Sequence, residues 1–109
     1  MKKLLMMFVG LVALANSAQA AWKFDGVWNG HAFTAYEWNQ DQAQLRWSDG
    51  SRGFTAFYTI PNPAPRCPCS VYLTNDGRNF TVEHGMRGIP SGGWYRGVPF
   101  RVVGQPQQF

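Results

Sequence analysis

The feature that most constrains the fold of this chain is a period-two alternation of apolar and polar residues. Residues 43–48 read Ala-Gln-Leu-Arg-Trp-Ser, and residues 79–83 read Asn-Phe-Thr-Val-Glu. A period of two places side chains on alternate faces of a β-sheet, so both segments are predicted to be half-buried strands. No stretch after residue 20 shows a convincing helical period. The sequence therefore predicts an all-β domain.

Turn signals divide this pattern into about six strands. Asn75-Asp76-Gly77 lies between two alternating runs, and Asp-Gly is among the strongest hairpin signals because glycine adopts positive φ without a steric penalty. We predict a long strand over residues 27–38, bent at Gly30, and a last strand over residues 99–103. The strands are expected to form a small antiparallel meander, either barrel-like or folded as a sandwich.

Two segments interrupt the pattern and are predicted to be surface loops. Residues 60–70 carry four prolines, which fix φ and remove backbone hydrogen-bond donors. Residues 85–97 carry five glycines and are predicted to form a long flexible loop. Residues 104–109 are mostly polar and are predicted to fray. Functional residues concentrate on loops, so the two interrupting segments are the first places to search for a site.

Residues 1–20 show the three regions of a secretory signal peptide. Met1-Lys2-Lys3 supplies the positive start, and Ala18-Gln19-Ala20 offers a cleavage site of small residues. The apolar run between them, residues 4–15, is shorter than the roughly 20 residues that cross a bilayer. We therefore predict a cleaved signal peptide followed by a single small β domain, residues 21–109, without a membrane anchor. The product is expected in the periplasm or outside the cell.

The charge of the predicted mature domain argues against one class of partner. Two of the ten Lys and Arg residues lie in the signal, so residues 21–109 carry eight basic and six acidic side chains. The basic residues are spread singly along the chain, whereas nucleic-acid binding needs a basic cluster or stripe. We expect no nucleic-acid partner.

One short motif near the start of the mature domain resembles a known pattern. Gly26-Val27-Trp28 is similar to the G-x-W that opens the first strand of lipocalins and avidins. The resemblance implies an eight-stranded barrel with a small ligand inside, and it implies that Arg101 packs over the tryptophan. It covers three residues, and the length of the chain favours fewer strands of ordinary length. We therefore interpret Trp28 as a core residue on an opening strand.

The two cysteines of the chain form the motif Cys67-Pro68-Cys69 on the proline-rich segment. In an oxidising compartment they are expected to pair, although the Cα atoms of an extended tripeptide approach the upper end of the roughly 4.4 to 6.8 Å range of disulfides. Such a bond closes almost no loop and adds little stability, so loop rigidity, thiol exchange and a soft-metal site are its open uses. The candidate metal ligands are Cys67, Cys69, His31, His84 and Met86.

Known catalytic patterns are absent from the sequence or incomplete. Residues 88–93 miss the G-x-S-x-G spacing, and the cysteines lie on a loop without a helix N-terminus that would activate them. Six carboxylates permit a glycosidase-type pair in principle, but most of them sit beside turns, where Asp favours capping its own backbone. We expect a binding protein rather than an enzyme, and no cofactor.

The candidate binding residues are Trp94, Tyr95 and Arg96, at the tip of the glycine-rich segment. Trp, Tyr and Arg are the residue types most enriched at energetic hot spots of interfaces. The alternative is a short extra strand with Trp94 in the core. The predicted function is binding or inhibition of a protein or glycan partner through exposed aromatic and Arg loops. A second hypothesis is a periplasmic soft-metal-binding or thiol-redox protein that uses the Cys-Pro-Cys loop.

Overall fold

The computed structural model describes residues 21–39 and 41–109. The predicted signal peptide, residues 1–20, lies outside these described residues. No helix in the described part of the chain is long and apolar enough to cross a membrane.

The described residues form a closed antiparallel barrel of eight strands. The strands are β1 (Trp22–Trp28), β2 (His31–Trp38), β3 (Gln42–Trp47), β4 (Phe54–Thr59), β5 (Cys69–Thr74), β6 (Asn79–His84), β7 (Pro90–Tyr95) and β8 (Val98–Gln108). Each strand pairs with its neighbours in chain order, and β1 pairs with β8 to close the sheet. The prediction of an all-β, antiparallel and barrel-like domain is confirmed.

The predicted number of strands is too low. The single long strand expected over residues 27–38 is two strands, β1 and β2, joined at Asn29 and Gly30. Both turn residues have positive φ, 49° and 80°, which is the backbone of a type I′ hairpin turn and favours Asn followed by Gly. The strand before this turn, β1, begins at Trp22, ahead of the predicted start at residue 27. At the other end of the chain, β8 runs through most of residues 104–109, so the predicted fraying of this segment is also wrong.

The prediction that the glycine-rich segment, residues 85–97, forms one long flexible loop is wrong. It contains a short 3-10 turn, Met86–Gly88, and the whole of β7. At Gly93 a Cβ atom would collide with the carbonyl oxygen of Thr81 and with the ring of Phe100. Glycine at this position therefore permits close approach of a strand to its neighbours.

The antiparallel order gives the barrel two different ends. The turn end carries the connections at residues 29–30, 48–53, 75–78 and 96–97. The loop end carries the short connection between β2 and β3 and the two longer connections at residues 60–68 and 85–89. The proline-rich segment and the first part of the glycine-rich segment therefore lie at the same end of the barrel.

Side chains fill the interior of the barrel. Four phenylalanines form its centre, each at most 6% exposed: Phe24, Phe33, Phe80 and Phe100. Phe100 stacks on Phe24 and Phe80 with ring centroids 6.2 and 5.6 Å apart, and it meets Phe33 edge-on at 5.3 Å. Offset-stacked and edge-to-face contacts are the arrangements that aromatic rings favour. The eight described strands match the number implied by the lipocalin resemblance, but phenyl rings occupy the interior.

Trp28, the tryptophan of the G-x-W motif, covers the interior at the turn end. Its indole N–H donates to the carbonyl oxygens of Tyr95 and Val98, at 2.9 and 3.2 Å. Arg101 pairs with Val27, the residue before Trp28, and its side chain is exposed. Because neighbouring residues of a strand face opposite sides of the sheet, Arg101 lies on the outer face. It does not occupy the position over Trp28 that the resemblance implies.

Candidate functional site

The two segments that interrupt the strand pattern both line one pocket at the loop end of the barrel. This loop-end pocket has a volume of about 410 Å³. Its chemically active lining comprises Glu37, Tyr58, Cys67, Cys69, Ser70, His84 and Arg87. A concave site with a few convergent polar groups is the usual form of a ligand or partner site.

Glu37 is the most deeply buried charged group of the pocket. It follows Phe33 and Ala35 on the interior face of β2 and is 2% exposed. Its Oε2 accepts a hydrogen bond of 2.6 Å from the Tyr72 hydroxyl and lies 3.2 Å from Nε2 of His84. Its Oε1 is buried and has no hydrogen-bond partner among the described residues. Because a buried carboxylate is costly unless it is paired, the charge of His84 decides how well Glu37 is stabilised.

His84, the last residue of β6, connects three elements around the pocket. Its Nε2 faces Glu37 and lies 3.4 Å from Oγ of Ser70, while its Nδ1 lies 2.8 Å from the carbonyl oxygen of Gly88. Burial by itself lowers the pKa of His84. The hydrogen bond and charge of Glu37, together with the Gly88 carbonyl, outweigh burial and hold the pKa above its ordinary value. Below that raised pKa, His84 is protonated and its Nε2 is placed to pair with the Glu37 carboxylate.

Tyr72 supports the carboxylate from the opposite side of the barrel. Its ring is fully buried and packs against the rings of its cross-strand partners Tyr58 and Phe80, with centroids 6.1 and 6.3 Å away. Burial, and then the negative charge of Glu37, raise the pKa of Tyr72. The hydroxyl therefore stays protonated and acts as a hydrogen-bond donor.

The Cys-Pro-Cys motif forms one wall of the pocket. The N–H of Cys69 donates to the carbonyl oxygen of Cys67 at 2.8 Å, which is the hydrogen bond of a three-residue γ-turn. The turn brings the two Cα atoms to 5.2 Å and the two sulfur atoms into close contact. The N–H of His84 donates to the carbonyl oxygen of Pro68 at 2.9 Å. This bond fixes the cysteine turn to the strand that carries His84.

Three large exposed side chains with apolar surface lie at the loop end of the barrel. Tyr58 is 46% exposed, Ile60 is 80% exposed and Met86 is 81% exposed. Arg66 and Arg87, both exposed, add positive charge to the two loops. Together with the pocket, these side chains make the loop end a candidate interaction surface.

The predicted binding residues lie at the opposite, turn end of the barrel. Trp94 is on the outer face of β7 and is 39% exposed. Tyr95 turns into the barrel, where its ring stacks on Phe54 with centroids 4.8 Å apart. Arg96 begins the following turn with a φ of 53°. The extra strand is confirmed, with Tyr95 rather than Trp94 packed on the core, and a binding role for the three residues stays a prediction.

The barrel separates the candidate metal ligands. Cys67, Cys69 and His84 line the loop-end pocket, whereas His31 begins β2 at the turn end. Met86 lies at the loop end with its side chain in solvent. Within residues 21–39 and 41–109, no group of three or more His, Cys, Asp or Glu side chains is arranged to hold a metal ion. The pocket brings together a cysteine pair and one histidine.

Glu37 and Tyr72 are site residues that the sequence reasoning missed. The signal for Glu37 is present, because it follows Phe33 and Ala35 at steps of two and so continues a buried face. The identity of its partners is not encoded locally. Tyr72 and His84 lie 35 and 47 residues away in the chain, and only closure of the barrel brings them to the carboxylate.

Comparison with known proteins gives no match for this chain among protein-family models, curated proteins or solved structures. The functional argument therefore depends on the geometry of the chain itself.

Proposed function

We propose that this protein is an exported binding module that attaches to, and can inhibit, a protein partner through the loop end of its barrel. The observation that carries this proposal is the set of exposed side chains at the loop end, with Tyr58 in the lining of the pocket and Ile60 and Met86 on the two loops. A few large side chains that become buried provide most of the binding energy in protein interfaces.

The rigidity of the loop end supports the same function. Four prolines restrict the segment of residues 60–70, and the close contact of Cys67 with Cys69 is consistent with a disulfide in the oxidising compartment that export implies. The hydrogen bond from His84 to Pro68 joins this segment to the barrel. A surface that is already ordered loses less conformational entropy when it binds, so more of its contact energy appears as affinity.

The composition of the rim favours a protein over a glycan. Aliphatic side chains such as Ile60 and Met86 bind apolar protein surface, and Arg66 and Arg87 beside them complement acidic groups. The expected partner therefore presents an apolar patch bordered by carboxylates. The turn-end residues Trp94, Tyr95 and Arg96 face different directions and are a less coherent surface.

The test compares two surfaces of the same barrel. Residues 21–109 are immobilised, a partner is captured from the exported fraction of the native cell and identified, and its Kd is measured with purified components. The variant Ile60→Ser with Met86→Ser should raise the Kd about tenfold or more, because two hot-spot side chains of roughly 1 kcal/mol each are lost. The matched control, Val98→Ser with Val103→Ser, changes exposed side chains of β8 and should leave the Kd unchanged. Equal affinities of wild type and loop-end variant would exclude this face.

Thiol–disulfide exchange is a second candidate function, favoured by the position of the cysteines beside His84 in one pocket. In this reaction the thiolate of a partner attacks one sulfur of a Cys67–Cys69 disulfide, a mixed disulfide forms, and the other cysteine leaves as a thiolate. A protonated His84 places positive charge in the pocket where that thiolate develops. The three-residue loop closed by the bond adds little stability, so the fold tolerates its opening.

The exchange function predicts a measurable reactivity. Each single variant, Cys67→Ser or Cys69→Ser, should form a trapped mixed disulfide with oxidised glutathione, releasing one molecule of reduced glutathione, while losing under about 2 kcal/mol of unfolding free energy. In the protein with both cysteines, His84→Gln should slow the reaction of the Cys67–Cys69 disulfide with reduced glutathione several-fold. His31→Gln, which changes the histidine at the turn end, should leave the rate unchanged. A disulfide that reacts no faster than the one in a free peptide of residues 65–71 would rule out a catalytic environment.

A further inference from the structure

A second site is formed at the turn end by three aromatic rings and a carboxylate. Trp28, His31 and Trp47 meet at the barrel rim, and their ring centroids lie 6.4 Å (Trp28 to His31), 5.7 Å (Trp28 to Trp47) and 6.2 Å (His31 to Trp47) apart. The rings are inclined to one another by 33°, 47° and 76°, so they form the walls of a corner. A pocket of about 190 Å³ lies against them, and its remaining lining is Asp49 and Ser51.

The barrel holds the rings of this turn-end pocket in place before any ligand arrives. Trp28 and His31 are cross-strand partners on either side of the tight turn between β1 and β2. The indole N–H of Trp28 is fixed by the carbonyl oxygens of Tyr95 and Val98. Rings positioned in this way can bind without losing rotamer freedom.

Contact with the core fixes the position of the Trp47 ring. Its ring meets the buried Phe33 edge-on with centroids 5.9 Å apart. Trp47 is only half-buried, so the part of its ring that the core does not cover stays open to the pocket.

The carboxylate supplies the charge that the rings lack. Asp49 lies in the turn of residues 48–53, and its Oδ1 accepts a hydrogen bond of 2.8 Å from the N–H of Ser51. Hydrogen bonds from Ser51 hold the pKa of Asp49 below its usual range, so the group is ionised at neutral pH.

We infer that the turn-end pocket binds an organic ammonium ion, with its alkylated nitrogen against the faces of Trp28 and Trp47 and its charge beside Asp49. Aromatic faces attract cations through the ring quadrupole, and a weakly hydrated quaternary ammonium loses little solvation on entering such a corner. The pocket is too small for a bulky ligand and accommodates a group of the size of trimethylammonium. This site lies at the opposite end from the proposed partner surface and does not depend on it.

Tryptophan fluorescence tests the inference directly, because two indoles line the pocket. Residues 21–109 are titrated at pH 8 with choline and, in parallel, with its neutral isostere 3,3-dimethyl-1-butanol. Choline should change the emission with saturation, and the isostere should not. Asp49→Asn should weaken choline binding about fivefold, and Trp47→Leu should abolish it, since each removes one part of the cation site.

Two matched variants separate the site from general effects of substitution. Asp76→Asn removes another exposed carboxylate of the turn end, and Trp94→Leu removes an indole of the outer face. Neither should alter the choline affinity. Vesicles of phosphatidylcholine, tested for co-sedimentation, distinguish a lipid headgroup from a free cation as the natural source of the ammonium group.

The outcomes that overturn the inference are defined by the same experiment. An equal response to choline and the isostere would mean an apolar pocket without cation preference. Choline affinity that survives Asp49→Asn and Trp47→Leu unchanged would place binding elsewhere, and an absence of saturation in the wild type would exclude the site. Each of these results leaves the loop-end proposal untouched, because that proposal is measured with a different partner and different variants.

Discussion

Gly26 shows how a single residue determines the packing of the barrel interior. A methyl group at this position would come within 2.5 Å of Cζ of Phe33 and 3.0 Å of the carbonyl oxygen of Arg101. The Phe33 ring cannot move away easily, because it is 1% exposed and in edge contact with Phe24 and Phe100. Glycine in the G-x-W motif of this chain is therefore required by close packing against an aromatic ring.

This contact predicts the effect of one added methyl group. Gly26→Ala should reduce the unfolding free energy by about 1–3 kcal/mol through overpacking, measured by urea denaturation. In a Phe33→Leu background, where the ring is absent, the same substitution should cost less. If the two costs are equal, the double-mutant cycle shows no coupling and the ring contact is not the cause.

At the level of single residues, the site could be predicted only in part. His84 follows Phe80 and Val82 at steps of two along β6. This alternation indicates an interior side chain, and the structure confirms that position. Glu37 follows Phe33 and Ala35 at steps of two, so the same alternation places it on the interior face. A carboxylate is nevertheless usually expected on the solvent side of a strand. A buried acid becomes plausible only when its partners are known, and those partners come from distant strands.

At the level of strands and turns, local chemistry predicts more than composition does. Asp76-Gly77 is correctly predicted as a turn between β5 and β6, and Asn29-Gly30 carries an equally strong signal. Gly30 can also be interpreted as a bend within one strand, and that interpretation predicts one strand where the structure has two. Reading it as a hairpin gives two strands of seven and eight residues.

The glycine-rich segment shows the limit of composition more clearly. Glycines favour loops because they are flexible, but Gly92 and Gly93 lie within β7, where a Cβ atom at either position would press against the carbonyl oxygen of a neighbouring strand. Loop glycines and close-approach glycines look identical in a sequence. Only the position of the neighbouring strands separates them, and that depends on how the barrel closes.

At the level of the whole molecule, closure of the barrel creates both candidate sites. The meander places every second connection at the same end, so the proline-rich segment and the Met86–Gly88 turn meet around one pocket. The same order brings Trp28, His31 and Trp47 together at the other end. The sequence identified the two interrupting segments, but a six-strand count cannot assign them to ends, since each missed turn reverses the direction of the strands that follow it.

The buried ion pair predicts how the stability of the whole domain depends on pH. His84 has a pKa above its ordinary value in the folded state, because the effect of Glu37 and Gly88 exceeds that of burial. The protonated form is therefore favoured by folding. Its contribution to stability is complete below the unfolded pKa of about 6.5 and is lost as the pH rises through the raised folded pKa.

We therefore expect the unfolding free energy to fall as the pH rises above about 6.5 and through the raised folded pKa of His84, with a slope of at most about 1.4 kcal/mol per pH unit for one proton. Tyr72, which donates to the same carboxylate, stays protonated in this window because burial and the charge of Glu37 raise its pKa. Above the transition the buried Glu37 carboxylate faces a neutral imidazole, which is the physical origin of the loss.

Urea denaturation of residues 21–109 across this pH range measures the effect, and two histidine variants assign it. His84→Gln keeps a polar side chain without the titration and should flatten the profile, whereas His31→Gln, at the exposed turn end, should preserve it. Glu37→Gln should abolish or reverse the fall, since burial, which lowers the pKa of His84, is then opposed by the Gly88 carbonyl alone. A profile that rises with pH, or a slope that persists in both His84→Gln and Glu37→Gln, would show that this pair does not control the pH dependence of folding.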